Sequence, residues 1–287
     1  MVLQNITDTN FQSVITGLVK DISPAVIVCF GYTNSVVKQV NCFQQNSSEQ
    51  QHYDLLIVRG KMDYHKDHEI VDLVKKRFDD DLSVNVLSHS ETSVLSALQK
   101  GHPFFQKLFT EGVRVYQSDE FSYEIGDEQK EYTELTESKT NRELKHSFEL
   151  AGNFLSMASD ALGSGIHDVG IFLLHQAMEQ MCIASIKAHL KYRPSTHSIV
   201  NLVALVNCYI PEASTLFPYN TNDERELFDF LKKAYSDVRY KASYRVPDHI
   251  AFSLLERVSE FHNLIEEAYQ KEFGAEEVED SEQATID

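Results

Sequence analysis

Residues 166–192 have the sequence IHDVGIFLLHQAMEQMCIASIKAHLKY, and this stretch decides the fold of the second half of the chain. Drawn as a helix, it is apolar over most of its circumference, and its polar edge carries His175 and Glu179 one turn apart. A helix of this kind is buried among others. The stretch therefore predicts the central helix of an all-α region, in which His175 and Glu179 form a hydrogen-bonded structural pair.

Four other helices are predicted around it by apolar residues that recur in steps of three and four. The first runs from 141 to 163, and the next is capped by Thr196 and stops at Pro211. Asn222 or Asp223 caps another, and the last spans 249–273. Short loops between such helices favour an up-and-down bundle over 141–273.

Residues 1–117 follow a different pattern, in which short β-branched runs alternate with amphipathic stretches. Strands are predicted at 24–31, 52–60, 82–89 and 113–117. Helices are predicted at 10–20, 67–78, 92–100 and 103–111, and a polar loop at 41–51. The two halves together predict an α+β protein of two domains, a small α/β domain followed by an all-α helical bundle.

The chain is acidic, with 44 Asp and Glu against 26 Lys and Arg and a formal charge of −18. Residues 118–140 and 272–287 carry −13 of this total and lack apolar periodicity. They predict an acidic linker over 118–140 and a disordered acidic tail over 274–287. Because the rest of the chain is close to neutral, its overall charge is compatible with a local basic groove and a nucleic-acid partner.

Composition excludes several classes of protein. With 287 residues and 42% hydrophobic ones, the chain can bury a sizeable core, unlike a disordered or disulfide-stapled protein. Its longest apolar run, 25–30, is far shorter than the about 20 residues that cross a bilayer. The start, MVLQNITDTN, has no signal-peptide pattern. A cytoplasmic protein without membrane contact is expected, and its four cysteines are expected to be reduced and mostly buried.

The first half carries a resemblance. A strand ending in Phe30-Gly31, a helix and loop, and a strand that opens with an acid at Asp54 resemble the minimal nucleotidyltransferases of the polymerase-β superfamily. The segment 103–116 is similar to the close of those domains. The resemblance implies a turn at Gly31 that contacts a nucleotide, and acidic ligands for Mg²⁺ on two neighbouring strands.

Only one acid of the expected three is present. Asp54 fits the second, whereas His52 replaces the first, Asn85 replaces the third, and Tyr32 replaces the serine that follows Gly31. Neutral imidazole and amide groups supply no negative charge to Mg²⁺. The resemblance thus implies an inactive nucleotidyltransferase-like domain, for which no metal site is predicted. Residual transfer at Asp54, with Mg²⁺ and a nucleotide as cofactors, is the third of three functional hypotheses.

The second half carries another resemblance. Residues 172–179, FLLHQAME, are followed by Lys187, by Thr196-His197 at the start of the next helix and by DVRY at 237–240, and these motifs are similar to the signature of HEPN domains. HEPN domains are helical modules that are often fused to minimal nucleotidyltransferases, so the two resemblances strengthen each other. A homodimer formed through the bundle is implied as well.

The first functional hypothesis rests on the HEPN relatives that bind nucleotides or phosphate. Arg239, Tyr240, Lys241 and Arg245 form a short basic and aromatic run that suits phosphate contact and base stacking. The resemblance therefore implies a regulatory protein, toxin-antitoxin-like in kind, that binds a nucleotide or RNA through this run.

The second functional hypothesis rests on HEPN relatives that resemble metal-independent ribonucleases of toxin or defence type. In these a dimer brings together an arginine, which stabilises phosphorane charge, and a histidine, which moves a proton. Arg245 and His249 are the corresponding pair here, although three residues separate them and Pro247 is one of the three. The hypothesis is a ribonuclease that uses Arg245 and His249 across a dimer.

Overall fold

The computed structural model describes residues 9–40, 45–61, 63–77, 82–125, 135–218 and 222–283. The chain divides into two compact units, Met1–Glu134 and Leu135–Asp287. The division falls within the segment that the charge pattern predicts to be a linker.

The first unit is a small α/β fold built on a four-stranded mixed sheet, as predicted. Its strands lie in the order β3, β2, β1, β4, with β2 and β3 parallel and the other neighbours antiparallel. The core lies between the sheet and the helices α1 and α2, where Phe11 stacks on Tyr53 at 4.1 Å between ring centres. The elements are α1 (Thr9–Ile22), β1 (Pro24–Val40), β2 (Gln45–Arg59), α2 (Asp67–Arg77), β3 (Leu82–Ser90), α3 (Glu91–Gln99), α4 (Pro103–Glu111) and β4 (Val113–Gln117).

The connection between β1 and β2 differs from the prediction. The sequence predicts that a strand ends at Gly31 and that a polar loop covers 41–51, and the resemblance implies a helix between them. In the structure β1 continues to Val40 and pairs with β2 from Gln45 onward, while 41–44 lie outside the described residues. Backbone hydrogen bonds hold this long antiparallel hairpin, and they do not require the apolar alternation on which the prediction depends.

The second unit is all-helical, and its centre is the helix from which the sequence analysis starts. α6 has an apolar surface that is buried on nearly every side. By length and composition it is long and apolar enough to cross a membrane, but 67% of its most apolar window is buried inside the bundle. The helices are α5 (Leu135–Gly163), α6 (His167–Leu190), α7 (Ile199–Asn207), a 3₁₀ helix (Pro211–Leu216), α8 (Asn222–Tyr240) and α9 (Asp248–Gln283).

A glycine sets how closely α5 and α6 approach. A Cβ atom added to Gly170 on α6 would lie 2.6 Å from Cγ of Leu162 on α5, well inside van der Waals contact. The two helices therefore pack with the backbone of α6 directly against a leucine side chain. This close contact fixes the start of α6 and, with it, the position of His175 one and a half turns later.

The acidic segments are more structured than predicted. In the predicted linker, Phe121 is buried and packs with Phe109 and Tyr123, and α5 already begins at Leu135, because these segments contain apolar and aromatic residues that charge counting ignores. Residues 126–134 lie outside the described residues. The predicted disordered tail is helical in backbone to Gln283, as its many glutamates allow, and 284–287 are again outside.

The cysteines fit the prediction in part. Cys29 and Cys182 are buried thiols, whereas Cys208 is exposed. Cys42 lies outside the described residues.

Candidate functional site

The first unit brings together the three positions that the nucleotidyltransferase resemblance assigns to acids. Strand register places Asp54 between Gly31 on β1 and Asn85 on β3. Asn85 Nδ2 donates a hydrogen bond to Asp54 Oδ1 at 3.1 Å, and His52 Nε2 lies 3.4 Å from the same oxygen. Asp54 and Asn85 are both buried.

This group of side chains does not fit a divalent cation. It offers one carboxylate, and the amide of Asn85 donates to that carboxylate where a second acid would share a metal ion. Among the residues that the structure describes, no three His, Cys, Asp or Glu side chains come together in a way that could hold a metal. The arrangement suits a buried hydrogen-bond network, in which the polar partners of Asp54 replace the ions of an active transferase.

The thiol of Cys29, two residues before Gly31 on β1, is not a nucleophile either. Burial raises the pKa of the neighbouring Cys29 to about 12, and the negative charge of Asp54 acts in the same direction. Its Sγ donates to the Gly31 carbonyl oxygen at 3.2 Å. A thiol in this state is not a reactive thiolate near neutral pH.

The second unit contains a polar network that reaches from its core to its surface. His175 Nδ1 donates to the Leu231 carbonyl oxygen on α8 at 2.9 Å, and its Nε2 lies 3.8 Å from Glu179 Oε2. Glu179 Oε1 in turn accepts a hydrogen bond of 2.8 Å from His197 Nδ1. His175 and Glu179 are almost fully buried, but the side chain of His197 is 75% exposed. His175 and Glu179 are neighbours, as the sequence predicts, but the predicted hydrogen bond between them is absent, because Nε2 of His175 has no hydrogen-bond partner among the described residues. Their contact is electrostatic and forms the inner end of the network.

Burial keeps the inner histidine neutral. Loss of hydration lowers the pKa of His175, and the Leu231 carbonyl and the Glu179 carboxylate only partly oppose this effect. The positive charge of Arg239 lowers the pKa of His175 further, which shows that the guanidinium lies near this network.

Arg239 is held above the network by aromatic rings. Its guanidinium carbon lies 3.9 Å from the centre of the Tyr235 ring and 5.2 Å from that of Tyr240. The Tyr235 ring stacks in turn on His175 at 5.7 Å. Arg239 Nε donates to the Tyr235 carbonyl oxygen at 2.7 Å, and among the described residues the two terminal nitrogens have no acceptor. The exposed guanidinium is therefore fixed in orientation and keeps the N–H groups of both terminal nitrogens for a ligand.

The other basic residues of the predicted run are used differently. Lys241 forms an ion pair of 2.8 Å with Asp237, which lowers the pKa of that carboxyl. Arg245 donates to the carbonyl oxygens of Ala242 and Tyr244 at 3.1 and 2.6 Å. Arg239 and the 77% exposed ring of Tyr240 are thus the parts of the run that are best placed for a ligand.

Arg245 and His249 lie on either side of the turn into α9. Both are exposed, and within the described part of the chain no hydrogen bond or ion pair joins them. A single chain therefore does not assemble the pair. The ribonuclease hypothesis therefore depends on a second copy of the chain, which would bring Arg245 and His249 together across a dimer.

From the sequence, two residues, Tyr235 and His197, are not assigned to this surface. Tyr235 precedes Arg239 by four positions, the spacing at which side chains meet on a helix, so the sequence does indicate this contact. The sequence places His197 at a helix start, and nothing in the local sequence shows that Glu179 lies beside it.

Residues 144–268 match the family model of the HEPN domain. This segment is a HEPN domain. It includes every member of the network described above, and the prediction from the sequence motifs is confirmed.

A solved structure of a nucleotidyltransferase-like protein from Exiguobacterium sibiricum 255-15 matches over 92% of this chain and 77% of that one, with 10% identity and a TM-score of 0.31. No curated protein sequence matches the chain.

Proposed function

We propose that the HEPN domain binds the phosphate groups of a nucleotide or of RNA at a surface formed by Arg239, Tyr240 and His197. The observation that carries this proposal is the guanidinium of Arg239, stacked on Tyr235 at 3.9 Å with its terminal nitrogens without acceptors among the described residues. A guanidinium presents a planar fork of N–H donors that matches two phosphate oxygens, and an ordered one loses little entropy on binding.

The neighbours of Arg239 suit the rest of such a ligand. Tyr240 exposes most of its ring beside the guanidinium, and exposed aromatic rings stack on nucleobases with little dependence on sequence. His197 adds an exposed imidazole whose Nδ1–H is fixed by Glu179, so that Nε2 is left for the ligand. The site is small, which fits a mononucleotide or a short stretch of RNA.

We further propose that the first unit is a regulatory module without transferase activity. The proposal is supported by the chemistry around Asp54. The amide of Asn85 and the imidazole of His52 occupy the positions of the other two acids, and both lie within hydrogen-bond distance of the Asp54 carboxylate. Phosphoryl transfer needs two or more anionic ligands for its metal ions, and these residues do not supply them.

Direct titration tests the binding site. Fluorescent ATP, GTP and a short single-stranded RNA are titrated against the wild type and against Arg239→Ala, Arg239→Lys and Arg225→Ala. Losing a charge-assisted hydrogen bond of about 1.5–3 kcal/mol is expected to weaken binding by roughly 10- to 100-fold in Arg239→Ala. Lysine lacks the fork and is expected to restore only part of the affinity.

Arg225 provides the matched control. It is exposed near the other end of α8, so Arg225→Ala makes the same change of charge at a distance from the network. Equal binding by the wild type and Arg239→Ala, or equal weakening in both alanine variants, would remove Arg239 from the site.

A further inference from the structure

The first unit contains a cavity that the Asp54 network does not use. Its volume is about 850 Å³. It is lined by the end of α1, by the turn that follows β2, by Glu91 after β3 and by residues at the end of β4. The carboxyl ends of the parallel strands β2 and β3 meet here. In α/β sheets this edge is where ligands most often bind.

The lining of the cavity is predominantly negative. Five acids line it together with two lysines, Lys20 and Lys61. Lys61 lies 3.4 Å from the buried carboxylate of Glu91, and Asp21 already forms an ion pair with Arg77, so the acids remain in excess. A cavity with an excess of carboxylates favours a cationic ligand and repels phosphate. The acids are Asp21, Asp63, Glu69, Glu91 and Glu120.

One of these carboxylates is buried with an unused oxygen. The side chain of Asp63 is 3% exposed, and its Oδ1 accepts hydrogen bonds from the His65 backbone N–H at 2.9 Å and from the His65 ring at 2.6 Å. Among the described residues Oδ2 has no hydrogen-bond partner. A buried carboxylate oxygen is unfavourable without a donor, so this atom points to a ligand that brings N–H groups.

The ligand indicated by these groups is organic. No three potential metal ligands cluster in the described residues, which argues against an inorganic cation here. The 85% exposed ring of Tyr64 and the ring of Tyr116 both line the cavity, and aromatic faces attract ammonium groups. We infer that this cavity binds a small organic cation with primary ammonium groups, a diamine or polyamine, between the acids and Tyr64.

Calorimetric titration of the full chain with spermidine tests this inference. The wild type is expected to bind with one site per chain, and Asp63→Asn, Glu120→Gln and Tyr64→Ala are each expected to bind more weakly, with a loss of about tenfold for the removal of a close charge. Raising the NaCl concentration is expected to weaken binding, because the attraction is electrostatic. Tyr64 and Glu120 are exposed, so their variants report on the site without disturbing the core.

Glu111→Gln is the matched control, since it removes an exposed acid from α4 in the same unit, outside the cavity. It is expected to bind spermidine as the wild type does. Three results would overturn the inference: no binding by the wild type at millimolar spermidine, the same affinity in Glu111→Gln and the three cavity variants, or displacement of spermidine by equimolar Mg²⁺. None of them bears on Arg239, so the proposed phosphate site stands or falls separately.

Discussion

Gly31 lies where β1 passes closest to the buried carboxylate of Asp54. A Cβ atom at this position would overlap Asp54 Oδ2 and lie 3.0 Å from both Cβ and Cγ of Asp54. The glycine is therefore required by the side chain opposite it. The nucleotide contact that the resemblance assigns to Gly31 remains a prediction.

Gly31→Ala is expected to lower the free energy of unfolding by about 1–3 kcal/mol, because the added methyl group must displace Asp54 from its bond to Asn85. Urea unfolding followed by far-UV circular dichroism measures the change. Gly163→Ala is the control, since no atom lies within 4 Å of a Cβ there and alanine favours the end of α5. Similar losses in both variants would contradict this explanation.

The residues at the two sites differ in how far the sequence predicts them. The resemblance places His52, Asp54 and Asn85 on neighbouring strands, and the parallel register of β2 and β3 brings Asp54 beside Asn85. The network around His175 joins α6, α8 and the segment after α6, and neither the Leu231 carbonyl nor His197 is near it in sequence. Contacts of this kind depend on tertiary packing, which local periodicity does not encode.

At the scale of elements, α6 was predicted most accurately and the β1–β2 hairpin least. Because α6 is buried on nearly every side, most of its residues are apolar, and this composition predicts a central helix. His175 and Glu179 are polar residues that are buried with it. The outer half of the hairpin is held by backbone hydrogen bonds, so polar residues are compatible with it. The acidic segments differ from the prediction for a related reason, since charge counting detects neither helix propensity nor a single buried aromatic residue such as Phe121.

The buried histidine of α6 makes the stability of the chain depend on pH. Desolvation lowers the pKa of His175 from 6.5, so the unfolded chain takes up a proton that the folded chain resists. Near and below pH 6.5 the unfolded state therefore binds more protons than the folded state. It follows that the free energy of unfolding is highest above pH 6.5 and falls as the pH drops below it, by at most about 1.4 kcal/mol per pH unit for one group.

His175→Gln is expected to reduce this loss of stability between pH 7.5 and 5.5, while urea unfolding at pH 7.5 shows a lower stability from the altered core. Part of the pH dependence is expected to persist, because burial also lowers the pKa of His89 and His102 in the first unit. His249→Gln alters an exposed histidine and serves as the control. Identical pH slopes in the wild type and His175→Gln would rule out this role for His175.

At the scale of the whole molecule, the formal charge of −18 says little about where an anion binds. The guanidinium of Arg239 is exposed near the end of α8, and the paired Lys241 and Asp237 cancel each other beside it. The cavity of the first unit has the opposite character, with five acids in its lining. The two proposed sites thus differ in charge preference, and total composition reveals neither.

An assembly of two chains is the last expectation from the HEPN resemblance. Ile166, Val169 and Phe252 are exposed apolar residues near the starts of α6 and α9, where the Phe252 ring lies 6.0 Å from the ring of His167. Exposed apolar side chains that lie together are candidates for an interface, and we propose that these residues contribute to one. His249 lies in the same first turn of α9, so pairing through this surface would bring two copies of His249 near one another, as the ribonuclease hypothesis requires.

Light scattering on the purified chain is expected to give twice its mass of 32.8 kDa at micromolar concentration. Phe252→Glu is expected to give the monomer, because a buried charge at the interface opposes association, whereas Tyr64→Glu changes an exposed aromatic residue of the first unit and is expected to stay dimeric. A monomeric wild type would refute the dimer.

If the wild type is a dimer, RNA cleavage measured in EDTA distinguishes the two HEPN hypotheses, since cleavage that is lost in both His249→Ala and Phe252→Glu requires the paired site. Cleavage that His249→Ala leaves unchanged removes the ribonuclease assignment.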